Sequence, residues 1–260
     1  MRLDWPARAA IYGIEQQPTA DERLFWSKLG SGADSILVAP GGVGVLAEAL
    51  AGAGRRLVLV DREAEMVRRA SALLEGLPGS CTAHRADLRS LAMADRFDLV
   101  CVPRAALMLF GGEDRARALR SLAALLAPAG VLVLELLRLR GEPPESPLAF
   151  YDPALPDGTW VCDWARPLGD GRWLERRRRQ DHGEGSLTLS FRYAFGSSPE
   201  QARREGPLGH AQVRLHALSA AALLELSRDS GLTSLWERDG YRASGNGRSA
   251  HRLIGLARRR

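Results

Sequence analysis

Short apolar runs alternate with amphipathic stretches through the first half of the chain. Ser35-Ile36-Leu37-Val38-Ala39 and Leu57–Val60 are continuous apolar runs closed by Pro-Gly and by Asp61. Such runs read as strands buried on both faces, as in parallel sheets. Phe97–Val102 and Val131–Leu137 repeat the pattern, with a shorter strand expected at Cys81–Arg85. Between them, Val45–Gly52, Glu63–Glu75 and Glu113–Leu126 carry helical spacing, and each runs into Gly or Pro. The opening 30 residues are also helical in pattern, with Phe25, Trp26 and Leu29 on one apolar face. Strands alternating with helices predict an α/β fold with a Rossmann-like, doubly wound, mostly parallel sheet. Ligands of such sheets bind at the carboxyl ends of the strands, where the connectivity reverses.

Beyond Arg138 the period changes. Gly141–Pro147 reads as a loop, and Thr159–Trp164, Arg172–Gln180 and Leu187–Phe195 alternate as antiparallel strands. Gly169-Asp170-Gly171 and Gly183-Glu184-Gly185 supply the turns. Ser219–Ser230 is a helix with Ser219 as N-cap and Gly231 as its stop, and Arg252–Ala257 is the final strand. The organisation expected is one domain over 1–260: a helical segment (1–34), a ligand-binding core (35–140), an antiparallel β insertion after strand five (141–215), and a closing helix and strand (216–260). The insertion is the expected substrate or dimer region.

Composition narrows the function classes. With 45% hydrophobic and 26% charged residues the chain has globular composition. No apolar run is long enough to span a bilayer, and the first residues lack the apolar stretch of a signal peptide, so a cytoplasmic protein is expected. Cys81, Cys101 and Cys162 have neither disulfide nor zinc spacing, and no metal is expected. The net charge of +5 is spread along the chain apart from Arg176–Arg179 and the last three arginines. Basic residues do not cluster beside aromatics, so neither nucleic acid nor membrane is an expected partner. A small molecule is, and a homodimer through the insertion is a further expectation.

The chemistry starts at Ala39-Pro40-Gly41-Gly42-Val43-Gly44, between a buried strand and a helix. Glycines there let the backbone turn tightly and approach a ligand. Asp61, at the end of the next strand, is placed to accept hydrogen bonds from the two hydroxyls of a ribose. The pair marks a nucleoside site without naming the nucleoside, and Gly42 to Ala47 also fits the GxGxxA dinucleotide pattern.

Further motifs follow in order: Ala86-Asp87-Leu88 after the third strand, Phe97-Asp98-Leu99-Val100, and Leu126-Ala127-Pro128-Ala129-Gly130-Val131-Leu132. With these the chain resembles the class I S-adenosylmethionine-dependent methyltransferases, in particular the branch that acts on small molecules. Asp239-Gly240-Tyr241 followed by Arg252-Leu253-Ile254 is similar to the ending of that branch.

The resemblance implies S-adenosylmethionine as cofactor and an N- or O-methyltransferase of secondary metabolism. It implies that Ala39, Pro40, Gly41, Gly42 and Gly44 cradle the cofactor and that Asp61, beside Arg62, holds its ribose. Asp87 and Leu88 would face the adenine, and Val102 and Pro103 would line the methionine arm and the sulfonium. Tyr12 corresponds to a tyrosine that relatives place over the cofactor, and packing on a helix is its alternative reading. Asp61 and Asp87 have an alternative reading as helix caps, and Asp98 reads as structural. The chain departs from the pattern at Val38, where an acid is usual, at Pro40, where the first glycine is usual, and at Leu109, where amino-sugar methyltransferases often carry a histidine.

No general base is assigned. Tyr12, Arg104, His182, His216 and Tyr241 are the side chains that could reach the site, with Arg104, Arg178 and Tyr241 as substrate candidates. In a strand, Arg176–Arg179 would alternate, two facing the site or a partner and two facing solvent. Arg178 would then bind a carboxylate or phosphate of the acceptor, and a solvated edge strand is the other reading. Trp160, Trp164 and Trp173 are core residues, a pocket floor or a dimer contact. Two rivals remain: a methyltransferase-fold protein without methyl transfer, acting as a rearrangement catalyst or binding subunit, and an NAD(P)-dependent oxidoreductase.

Overall fold

Asp4 and Thr19 start the first two helices by accepting hydrogen bonds from the N–H groups of Ala7 and Glu22. These are α1 (Trp5–Glu15) and α2 (Ala20–Gly30). The computed structural model describes residues 3–139, 152, 155–204, 209–242, 249 and 251–259. The loop expected at Gly141–Pro147 lies outside the described residues.

The alternating half folds as β1 (Ser35–Val38), α3 (Ala47–Leu50), β2 (Arg56–Asp61), α4 (Ala64–Leu74), β3 (Ser80–Arg85), β4 (Phe97–Val102), α5 (Gly112–Ala124) and β5 (Leu126–Leu137). The antiparallel part follows with β6 (Val161–Pro167), β7 (Trp173–Gly183), β8 (Ser186–Gly196), α6 (Pro199–Arg204) and β9 (Gly209–His216). The chain closes with α7 (Ala220–Asp229), β10 (Leu232–Asp239) and β11 (His251–Arg258).

The strands sort into a seven-stranded sheet, β10-β11-β5-β4-β1-β2-β3, and a separate four-stranded sheet, β6-β7-β8-β9. Strands β1 to β5 run parallel, whereas β11 pairs antiparallel with both β5 and β10. The order reverses between β1 and β4, so a crevice opens at their carboxyl ends. Asp98 braces this junction by accepting hydrogen bonds from the N–H and Oγ of Ser35.

Helix α3 is shorter than its apolar pattern implies. Gly44 N–H donates to Gly41 O and Ala47 N–H to Gly44 O, so the chain is still turning where Val45 and Leu46 suggest helix. Two strands lie outside those expected from the sequence. β9 does alternate, with His210, Gln212 and Arg214 outward and Ala211 and Leu215 inward, whereas β10 is an exposed edge strand with little apolar signature. Strand β7 is interior rather than an edge, because β6 pairs along it.

Two apolar layers flank the main sheet. One gathers Phe25, Trp26, Ile36, Leu57 and Leu59, and Trp26 is completely buried. The other continues from β1, β4 and β5 through Leu107 and Met108 to Leu189, Phe191 and Leu215 of the four-stranded sheet. That shared core fixes the antiparallel sheet over the carboxyl ends of the parallel strands. Among the described residues, no helix is long and apolar enough to cross a membrane.

Candidate active site

Two positions of the glycine-rich loop leave no room for a side chain. A Cβ at Gly41 would lie 2.7 Å from Leu59 Cβ, and one at Gly42 would lie 2.9 Å from Tyr12 Cε1. Gly42 also has φ +55°, a left-handed conformation that glycine adopts without penalty. Gly41 N–H donates to Val60 O at 2.7 Å, and Gly42 N–H donates to Asp61 Oδ2 at 3.0 Å. Asp61 Oδ1 accepts from Glu63 N–H at 3.0 Å. Asp61 therefore both starts the turn into α4 and reaches back to brace the loop. Burial raises its acid range, against the opposing pull of the Glu63 and Gly42 N–H groups.

Tyr12, on α1, lays its ring against Gly42, and burial pushes its hydroxyl up to about 12. It stays protonated at neutral pH and acts as a donor or a wall. Ala39, Leu88 and Val102 are buried. Arg62 is exposed and paired with Glu63 at 2.8 Å. Asp87 caps a short 3-10 turn through Arg89 N–H, and its carboxylate is gripped by the Arg89 guanidinium. Those bonds to Arg89 pull its carboxyl down to about 2.

A cleft of about 130 Å³ lies between α1, the loop, the end of β4 and the inner face of the antiparallel sheet. Its walls include Tyr12, Glu15, Pro40, Arg104, Phe191 and Leu215. A larger recess of about 320 Å³, near Leu137, Leu218 and Arg252, touches neither the loop nor Tyr12. The smaller cleft is the one bordered by Tyr12 and by Pro40 of the loop.

Of the substrate candidates, Arg104 lines this cleft. Tyr241 does not, and its hydroxyl donates to Glu135 at 2.8 Å. Arg176 and Arg178 point inward and Arg177 and Arg179 outward, as the alternation predicts. Arg178, however, is buried against Asp163 at 3.0 Å and forms no part of the cleft wall. The second guanidinium of the cleft is that of Arg8, which sequence reasoning missed.

Glu15 was missed as well. It is buried, and its Oε1 accepts from Tyr193 OH and from Arg176 Nη1. His182 pairs with Asp157, and His216 packs against Gly111, so neither histidine lines the cleft. Leu109 does, at 46% exposure. Trp164 lies under the Arg166 and Arg176 guanidiniums, whereas Trp160 stacks on Arg192, so these two tryptophans share no floor. Among the described residues, no group of His, Cys, Asp and Glu side chains is arranged to hold a metal ion.

Residues 36–130, from β1 into β5, match the family model of a methyltransferase domain. That stretch carries the sequence pattern of a methyltransferase domain. The closely packed glycine loop beside Asp61 fits the nucleoside of S-adenosylmethionine, the donor such domains use. No curated protein matches the sequence significantly.

Several solved structures share the fold. The CcbJ methyltransferase of Streptomyces caelestis is 17% identical, covering 95% of this chain and 92% of that one, with a TM-score of 0.70. CalS10, an amino pentose methyltransferase from Micromonospora echinaspora solved with S-adenosylmethionine bound, is 21% identical over 99% of both chains, with a TM-score of 0.67. An S-adenosylmethionine-dependent methyltransferase from Clostridium acetobutylicum is 13% identical over 98% and 99%, with a TM-score of 0.72. At these identities the likeness is one of fold.

Proposed function

We propose that this methyltransferase methylates a nitrogen, or less readily an oxygen, of a small metabolite seated in the cleft between α1 and the antiparallel sheet. The observation that carries the reading is the Gly42–Asp61 hydrogen bond at the β1/β4 switch point, with that cleft opening beside it. S-adenosylmethionine supplies an already activated methyl group. The protein's share is then orientation and exclusion of water.

In this reading Asp61 keeps lone pairs free for the ribose hydroxyls, the loop from Ala39 to Gly44 lies against the cofactor, and Tyr12 closes over it. Asp87 and Leu88 sit at the adenine end, and Val102 and Pro103 at the methionine end. Arg104 and Arg8, already paired with Glu22 and Glu15, favour an acceptor that offers hydroxyl or carbonyl oxygens to their N–H groups. Nitrogen is favoured because a neutral amine needs no strong base. The titratable groups of the cleft wall are Arg8, Tyr12, Glu15 and Arg104, and Tyr12 is held protonated. The amino pentose methyltransferase among the similar structures supports the same preference.

Calorimetric titration with S-adenosylmethionine and S-adenosylhomocysteine tests the cofactor, and absence of binding at millimolar ligand refutes the reading. Incubation with a panel of amino sugars and hydroxylated metabolites, followed by mass spectrometry, tests the reaction. A product heavier by one methylene unit supports it, whereas a product of unchanged mass from bound cofactor replaces it with a rearrangement. A cytoplasmic location and a homodimer through the antiparallel sheet belong to the same proposal, and light scattering tests the dimer.

A further inference from the structure

At the carboxyl end of β4 the backbone makes two successive left-handed residues, Arg104 (φ 59°) and Ala105 (φ 52°). Neither is glycine, and in this region the Cβ crowds the neighbouring carbonyl. Such a turn persists only where its surroundings over-determine it. One constraint here is a buried carboxylate. Glu135, on β5 and 0% exposed, accepts the Arg104 N–H at 2.6 Å through Oε2. The same oxygen accepts from Tyr241 OH at 2.8 Å, and Oε1 pairs with His251 Nδ1 on β11. Burial alone would raise the Glu135 carboxyl, but His251 and Arg104 outweigh it and hold it down at about 2.

The turn's side chain is held too. Arg104 Nη2 donates to Gln16 O at 2.9 Å and lies 3.0 Å from Glu22 Oε1, while its buried Nε has no hydrogen-bond partner. Arg104 and Ala106 form the cleft wall facing Tyr12 and Pro40. The β5–β11 pairing is complete in backbone register from His251 to Ala257 without this carboxylate. A buried charge that collects donors from three separate segments is therefore not needed to join the two strands.

We propose that Glu135 is a positioning residue: it pins the strained turn after β4 and so sets the cleft wall where methyl donor and acceptor meet. This rests on the cleft being the methyl-transfer site. Glu135 touches neither ligand; it acts through the Arg104 backbone.

Three variants test it by calorimetric binding of S-adenosylhomocysteine, with thermal unfolding as a separate measure of folding. Glu135→Gln keeps the volume but loses the charge and one acceptor oxygen, and should weaken binding about tenfold, the scale of one charge-assisted hydrogen bond. Adding Ala105→Gly removes the backbone penalty at position 105 and should recover most of that loss, to within about threefold of wild type. A merely structural role predicts no such rescue.

Binding by Glu135→Gln within twofold of wild type overturns the proposal, as does a loss that Ala105→Gly leaves unchanged. If Glu135→Gln does not fold, His251→Gln, which keeps an N–H for Oε1 but removes the ring, should weaken binding about two- to fivefold, and an unchanged affinity overturns the proposal. Wild-type protein that binds neither S-adenosylmethionine nor S-adenosylhomocysteine refutes the proposed function itself, and the inference with it. Wild-type binding with unaffected variants refutes the inference alone.

Discussion

Asp61→Asn keeps the shape of the side chain and removes its charge. The carboxylate accepts Gly42 N–H through one oxygen and Glu63 N–H through the other, both at 3.0 Å, at a residue only 9% exposed. An amide has a single acceptor oxygen, so one of these N–H groups must face an NH2 group. A buried donor left without its partner costs about 1–3 kcal/mol. Part of that is recovered, because burial already penalises the charged form of Asp61, leaving a net stability loss of about 1 kcal/mol.

Cofactor binding should suffer more. The ribose hydroxyls lose a charge-assisted acceptor worth about 1.5–3 kcal/mol, roughly ten- to hundredfold in Kd. Titration calorimetry with S-adenosylhomocysteine reads the affinity, and thermal unfolding with and without ligand separates it from stability. A variant of lowered Tm that binds within threefold of wild type would refute the argument. Asp61 would then be a loop brace and no ribose ligand.

Gly42→Ala places a Cβ 2.9 Å from the Tyr12 ring at φ +55°, and should cost about 1–2 kcal/mol of stability and most cofactor affinity; unchanged calorimetric binding would contradict this. Arg176→Met strips Glu15 and Asp163 of a fully buried partner, and should destabilise the fold by about 3–5 kcal/mol in urea unfolding. Asp87, held at about 2 by Arg89, is a depressed acid, so its contribution is present above the unfolded value of 3.8 and is lost as pH falls toward 2. Both partners are partly exposed, so the loss is about 1 kcal/mol, and Asp87→Asn should flatten that acid limb of the stability profile. Cys162 is exposed and should react with a thiol reagent in the native protein, whereas buried Cys101 should react only on unfolding.

The two buried ionic clusters explain why α1 sits where it does. Tyr193 and Arg176 both reach Glu15 from the antiparallel sheet, and Arg8 donates to Tyr193 OH at 2.6 Å. These contacts hold α1 between the sheets and place Tyr12 on the loop. The same helix ends at Gln16, whose carbonyl accepts from Arg104. A shift of α1 would therefore disturb the glycine-rich loop and the cleft together.

The sequence by itself determined the parallel half of the fold, the glycine-rich loop and Asp61. Each of these is local: buried strands show as continuous apolar runs, and glycine marks a backbone that must turn without a side chain. The alternation of Arg176 to Arg179 was legible for the same reason, because the strand period is fixed by the backbone. Which of the inward arginines serves the cleft was not. Arg178 finds Asp163, while Arg8 and Arg104 arrive from elements far away in the chain. Only the tertiary structure decided that Glu135 meets His251 across 116 positions and that Tyr193 meets Glu15 across 178. A buried charge leaves no periodic signature, since its place depends on partners that no local window contains. Strand β10 was hidden similarly, for its strand character lies in hydrogen bonds to β11 more than in its own apolar pattern, whereas the alternation of β9 was there to be read.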